Sequence, residues 1–166
     1  MSLSRRQFVK AGVAGSALLA FSGWLNAAGP RRLSEAEREM LAAIAAVFLA
    51  GALPKDDMER RRIIARTVDG IARAVAGLSA ATQKEIGELF GLLVLAPARL
   101  IVAGLVRPWR EADAADIAAF LQSWRSSRLG LLQSGYAALH DLTFGAWYAR
   151  DDTWEAIGYP GPPEVF

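Results

Sequence analysis

Apolar positions recur at helical spacing from residue 34 nearly to residue 148. Ser34 and Glu37 form a capping-box pair, and Leu41, Ile44, Phe48 and Leu49 follow as one apolar stripe. Residues 51–54, which include Gly51 and Pro54, stop that helix. Asp56 and Asp57 suit the start of a second, since carboxylates favour a helix N-terminus. Ile64, Val68, Ile71 and Val75 then repeat at spacings of four, three and four, with Gly77 as the end. Ser79 or Thr82 caps a third helix, Thr82 with Glu85 also fitting the box pattern, and Ile86, Leu89, Phe90, Leu93 and Val94 form its buried face.

Residues 89–106 are the most apolar run beyond the N-terminus. Pro97 and Arg99 interrupt it, and an arginine at the centre of a bilayer costs about 2.5–3.5 kcal/mol. The run therefore reads as two buried helical pieces bent at Pro97, with a membrane hairpin as the lesser alternative. Arg107-Pro108-Trp109-Arg110 is a connector. Asp113 and Asp116 open another helix with Ile117, Phe120, Leu121 and Trp124 facing inward, residues 126–130 break it, and Leu132, Tyr136 and Leu139 carry a last helix to about Tyr148. No period-two strand or internal repeat is found. The fold class expected is all-α: a compact bundle of five or six helices with short connections.

Both ends depart from this pattern. Ser4-Arg5-Arg6-Gln7-Phe8-Val9-Lys10 precedes an apolar run over residues 11–25 and the small residues Ala27 and Ala28. This reads as a twin-arginine export signal over residues 1–28, with Ser4, Arg5, Arg6, Phe8 and Lys10 as the read positions. Such a signal is a receptor-read address rather than an anchor, and the run is too short and glycine-rich for a membrane span. Asn26 spoils a small-x-small cleavage motif ending at Ala28, so cleavage and retention both stay open. The helical domain is expected over residues 29–150. Residues 151–166 form an extended tail, because Pro160, Pro162 and Pro163 lack backbone donors and fix φ.

Charge and composition narrow the function. All 17 acidic residues lie beyond residue 28, where Arg5, Arg6 and Lys10 are the basic residues of the leader, so the remaining chain is close to neutral despite the overall charge of +2. A nucleic-acid partner is not expected, since Arg60-Arg61-Arg62 reads as one solvated helical turn rather than a basic face. The chain has no cysteine, which removes thiolate metal sites, iron–sulfur clusters and cysteine nucleophiles, and leaves an exported domain held by packing alone. His140 is the sole histidine and has no E-x-x-H partner. Its neighbour Asp141 points elsewhere on a helix, and Glu85 with Glu88 or Asp113 with Asp116 reads as solvated surface. Ser126 and Ser134 lack a nucleophile elbow, and no glycine fingerprint opens a βαβ unit. No catalytic, cofactor or metal residue is assigned.

Aromatic residues concentrate in the last third. Trp and Tyr combine rigid apolar area with a polar tip and serve both cores and interfaces. Trp124 and Tyr136 read as core. Trp147, Tyr148, Trp154 and Tyr159, with Pro160, Pro162 and Pro163, read as tail docking or as a partner interface. Arg125 and Arg128, one helical turn apart, are candidates to meet acidic groups on a partner.

The layout resembles the small accessory subunits of periplasmic flavin dehydrogenases whose large subunits belong to the glucose–methanol–choline oxidoreductase family. The resemblance is to the sorbitol, glucose and gluconate dehydrogenase small subunits. It lies in the leader, in the helical body, in the sequence from Phe120 through Trp124 to Arg128, in Gly145-Ala146-Trp147-Tyr148, and in residues 154–163. It implies a chain without flavin that escorts a large FAD-bearing subunit through the twin-arginine translocase to the periplasm, with a haem-bearing cytochrome subunit as a further partner. Membrane association would then come through the partner or an uncleaved leader. Some relatives carry cysteine near the C-terminus and this chain has none, so no family disulfide carries over. The alternative is a freestanding periplasmic helical module that binds an apolar ligand along residues 89–106.

Overall fold

The structure, a computed structural model, describes residues 31–151. The expected twin-arginine leader, with Ser4, Arg5, Arg6, Phe8 and Lys10, lies outside the described residues, as do Trp154, Tyr159, Pro160, Pro162 and Pro163 of the expected tail. The described residues form an all-α bundle with no strand. Its helices are α1 (Glu35–Phe48), α2 (Asp57–Ala76), α3 (Ala80–Val94), the single turn α4 (Ala96–Ala98), α5 (Ala114–Arg125) and α6 (Gly130–Tyr148). A π-helix, Arg99–Ala103, continues α4, and a 3₁₀ turn, Trp109–Glu111, precedes α5.

The helix starts follow local hydrogen bonding. At α1 the Ser34 hydroxyl accepts from the Glu37 N–H, and the Glu37 carboxylate accepts from the Ser34 N–H at 2.8 Å, completing the capping box. Asp56 caps α2 through the Glu59 N–H at 2.8 Å. Ser79, not Thr82, caps α3; the Thr82 N–H donates to the serine, so Thr82 already lies inside the first turn. Asp113 begins α5 without a side-chain cap, because its carboxylate accepts from Arg107 at 3.2 Å.

Helix α1 is the central element, packed against α2, α3, α5 and α6, and Met40, Leu41, Ile44 and Ala45 on it are fully buried. The expected inner faces of α2 and α5 are in place: Val68, Ile71 and Val75 from one, Ile117, Phe120, Leu121 and Trp124 from the other. A smaller cluster of Ala45, Leu49 and Trp147 closes the end where α1 and α6 finish. The buried hydroxyls of Thr67 and Thr143 donate to the carbonyls four residues earlier, Ile63 and Leu139, so neither enters the core unsatisfied. At the C-terminus of α6, Arg150 donates to the Ile63 carbonyl at 3.1 Å and to Thr67 Oγ1 at 3.3 Å, tying α6 to α2.

Two sequence expectations change. Residues 89–106 do bend, but at Leu95, one residue before α4, rather than at Pro97; the axes of α3 and Ala96–Ala103 differ by 78°. Pro97 lies in the first turn of the new helix, where a missing N–H and fixed φ are tolerated. Nor are both pieces buried, since the second exposes Leu100 and Ile101. Arg128 is not on the helix of Arg125, because α5 ends at Arg125 with Ser126 as its C-cap. Among the described residues no single helix is long and apolar enough to cross a membrane.

Candidate partner-binding surface

The break before Pro97 creates an unmet acceptor. Proline has no N–H to give the carbonyl four residues earlier, that of Leu93. The Trp109 indole supplies it instead, its Nε1 donating to the Leu93 oxygen at 2.9 Å from a buried ring. The π-helix raises the same problem at its end. There the Trp124 Nε1 donates to the Val102 carbonyl at 3.1 Å, and Gly104 ends the helix in the left-handed conformation at φ 69°. The Arg99 guanidinium donates to the carbonyls of Leu105 and Val106, both at 3.3 Å, folding the exit loop back against the helix it leaves. Single-turn π segments are uncommon and are frequent at functional sites.

These bonds hold an apolar crest outward. Ile101 is 82% exposed, Val106 78% and Leu100 51%, with Leu95 also exposed. At the start of α6, Leu129 is 65% and Leu131 80% exposed. Trp124 touches both segments through their backbones: its Nε1 donates to the Val102 carbonyl, and its ring lies against Gly135 of α6, so close that a Cβ there would come within 2.5 Å. Six of the nine large hydrophobic side chains exposed among the described residues belong to two segments, residues 95–106 and 129–131. Beside the crest is a cavity of about 480 Å³, with Val102, Val106, Ala119 and Phe120 on its apolar side and Asp113 and Asp116 on its polar side.

Of the residues expected at an interface, Trp147 is 2% exposed and packs inside against Ala45 and Leu49, with the Arg150 guanidinium 5.9 Å from its ring centre. Its ring belongs to the bundle's own interior. Tyr148, half exposed, stacks on Phe144 at 5.9 Å. That contact ends a ladder along α6 in which Tyr136, His140, Phe144 and Tyr148 follow at intervals of four, with Phe48 of α1 edge-on to Tyr136 and His140. His140 is thus an aromatic-ladder residue. Contrary to the expectation from adjacency, its Nδ1 lies 2.9 Å from Asp141 Oδ1. Among the described residues no group of His, Asp and Glu is arranged to hold a metal ion.

Sequence reasoning missed the crest. The signal for it was the pairing of Arg99, inside an apolar run, with Gly104, which can end a helix only by turning the chain. No family model, curated protein or solved structure matches the chain.

Proposed function

We propose that this chain is a non-catalytic small subunit that binds a large flavin-dependent sugar or alcohol dehydrogenase, aids its maturation and escorts it through the twin-arginine pathway to the periplasm. The observation that carries the reading is the exposed apolar crest on the segment after α3, where Leu100, Ile101 and Val106 stand open to solvent. Clustered exposed apolar side chains, unlike ones scattered singly, mark binding surfaces; these three fall within seven residues of one segment, on a chain that in this reading begins with an export leader of the kind that accompanies folded cargo. FAD belongs to the large subunit in this reading, and a cytochrome subunit would receive the electrons.

The proposal expects a flavin dehydrogenase to be encoded beside this chain, and the test is co-expression with it. Deleting this chain is expected to lower the soluble, flavin-loaded and exported fractions of the dehydrogenase together. A dehydrogenase that matures and reaches the periplasm equally well without it refutes the proposal. The cavity beside the crest supports a second reading, a freestanding helical module that binds an apolar ligand. That reading expects a monodisperse chain that retains a ligand in native mass spectrometry and binds no dehydrogenase.

A further inference from the structure

We infer that the aromatic ladder of α6 is the seat of the chain's own C-terminal segment, residues 152–166. The ladder is one continuous surface by its ring contacts. Tyr136 stacks on His140 at 5.8 Å, His140 meets Phe144 at 4.5 Å, and Phe144 stacks on Tyr148 at 5.9 Å. Phe48 of α1 lies against the first three, at 5.8, 5.6 and 6.0 Å. Phe48, Tyr136, His140 and Phe144 are half-buried and Tyr148 is half exposed, so the rings meet solvent along the whole run. Exposed positions beside them include Ala137, Gly145 and Ala149, which are too small to fend off an approaching chain. The outward face of a surface helix ordinarily carries polar residues instead.

The occupant follows from chemistry. Grooves lined by aromatic rings take extended, proline-rich chain, whose preformed polyproline shape loses little entropy on docking. This chain has one such sequence, Tyr159-Pro160-Gly161-Pro162-Pro163; its other prolines, Pro30, Pro54, Pro97 and Pro108, stand singly. The sequence follows directly on the helix that bears the ladder. A polyproline-type strand also has three faces, so a segment seated by one of them still turns side chains outward.

Reach agrees with chemistry. Arg150 donates to the Ile63 carbonyl and to Thr67 Oγ1, so the C-terminal segment departs from a fixed point just past Tyr148. From Tyr148 back to Tyr136 the helix rises about 18 Å, at 1.5 Å per residue. From Asp151 forward to Pro160, extended chain at about 3.1 Å per residue covers roughly 28 Å. A segment that doubles back beyond Asp151 therefore brings Pro160, Pro162 and Pro163 to the far rungs with length to spare. So short a tether gives an effective concentration on the order of millimolar, which favours the chain's own segment over the same sequence on another copy.

Solution NMR on the full chain, with isotope-labelled proline and aromatic residues, tests the seat without any partner protein. Nuclear Overhauser contacts are expected from the protons of Pro160, Pro162 or Pro163 to the rings of Tyr136, His140 or Phe144. Backbone order parameters over residues 152–163 should approach the rigid value of about 0.85. Tyr148→Ser removes the rung nearest the exit, and replacing Pro160, Pro162 and Pro163 together by Ser removes the rings that dock. Each change should drop those order parameters below about 0.6 while the helices keep theirs. Leu131→Ser, at an 80% exposed site at the other end of α6, should leave the segment ordered. A wild-type segment below about 0.6, or an ordered one without contacts to the ladder, overturns the inference. So does order that survives both the Tyr148 and the triple proline change. Contacts that appear only between separately labelled chains mixed together assign the ladder to a second copy and overturn it as well. None of these outcomes bears on the escort role, which its own co-expression test decides.

Discussion

Two pairs of residues show how individual side chains support this fold. The indole of Trp109 replaces the donor that Pro97 lacks, so its contribution is an N–H as much as a ring. Trp109→Phe keeps most of the buried volume and removes the N–H, leaving the Leu93 carbonyl unmet in the interior. The expected loss is about 1–3 kcal/mol in urea unfolding, and a variant as stable as the parent would show that the bond contributes nothing. The second pair is Arg31 and Glu37. Both side chains are close to fully buried, and the carboxylate receives the Arg31 Nη2, the Ser34 N–H and the Ser34 hydroxyl. The guanidinium lies 5.6 Å from the centre of the Phe90 ring, and its Nε and Nη1 are buried without hydrogen-bond partners. Removing either partner leaves a buried charge uncompensated, but Glu37 would keep the Ser34 N–H and hydroxyl, whereas the Arg31 guanidinium would lose its carboxylate. Glu37→Ala should therefore lose about 3–5 kcal/mol, since it strands the arginine and opens the capping box. Arg31→Met should lose clearly less. Equal losses in chemical denaturation would contradict the asymmetry.

Among the elements, the segment from α4 to the 3₁₀ turn carries the most consequence for function. Gly104 ends the π-helix at φ 69°, a region that costs an L-residue about 1–2 kcal/mol. No atom crowds the position of a Cβ there, so Gly104→Ala isolates that conformational cost from any clash. The expected outcome is a loss of about 1 kcal/mol together with faster amide exchange over residues 99–106, measured by hydrogen-exchange mass spectrometry. Unchanged exchange would mean that Arg99 alone holds the loop. The regular helices were legible in the sequence because each has one apolar face, and α1 and α2 also carry a local start signal, at Ser34 with Glu37 and at Asp56. Residues 89–106 were not, since a segment apolar all round has no polar face to say which side meets solvent. Leu100 and Ile101 point outward only because distant groups, Trp109 and Trp124, fix the backbone between them. Arg128 escaped its helix because Ser126 and Ser127 follow Arg125, and serine competes with the backbone for hydrogen bonds at a helix end. Trp147 was misleading for a different reason. An aromatic residue near a chain end suits a core as well as an interface, and the deciding cue was its place in the buried series Leu139, Thr143, Ala146 and Trp147.

For the whole molecule, the proposed escort role makes export of two proteins depend on separable parts of one chain. In that proposal the address is Arg5 and Arg6, whereas the contact is the exposed segment around Ile101. Arginine and lysine carry equal charge but differ in the geometry a receptor can read. Replacing Arg5 and Arg6 by Lys should therefore hold both this chain and the dehydrogenase in the cytoplasm, without altering their complex. Ile101→Asp should do something different: this chain still reaches the periplasm, because neither its fold nor its address has changed, while the dehydrogenase stays behind. Fractionation with immunoblotting of both proteins, and flavin-linked dehydrogenase activity in each fraction, separates the two phenotypes. A dehydrogenase exported despite the lysine pair has a route of its own, and the escort role fails. If it is exported normally with Ile101→Asp but retained with the lysine pair, the escort role stands and the grip must lie in the tail residues Trp154, Tyr159, Pro160, Pro162 and Pro163.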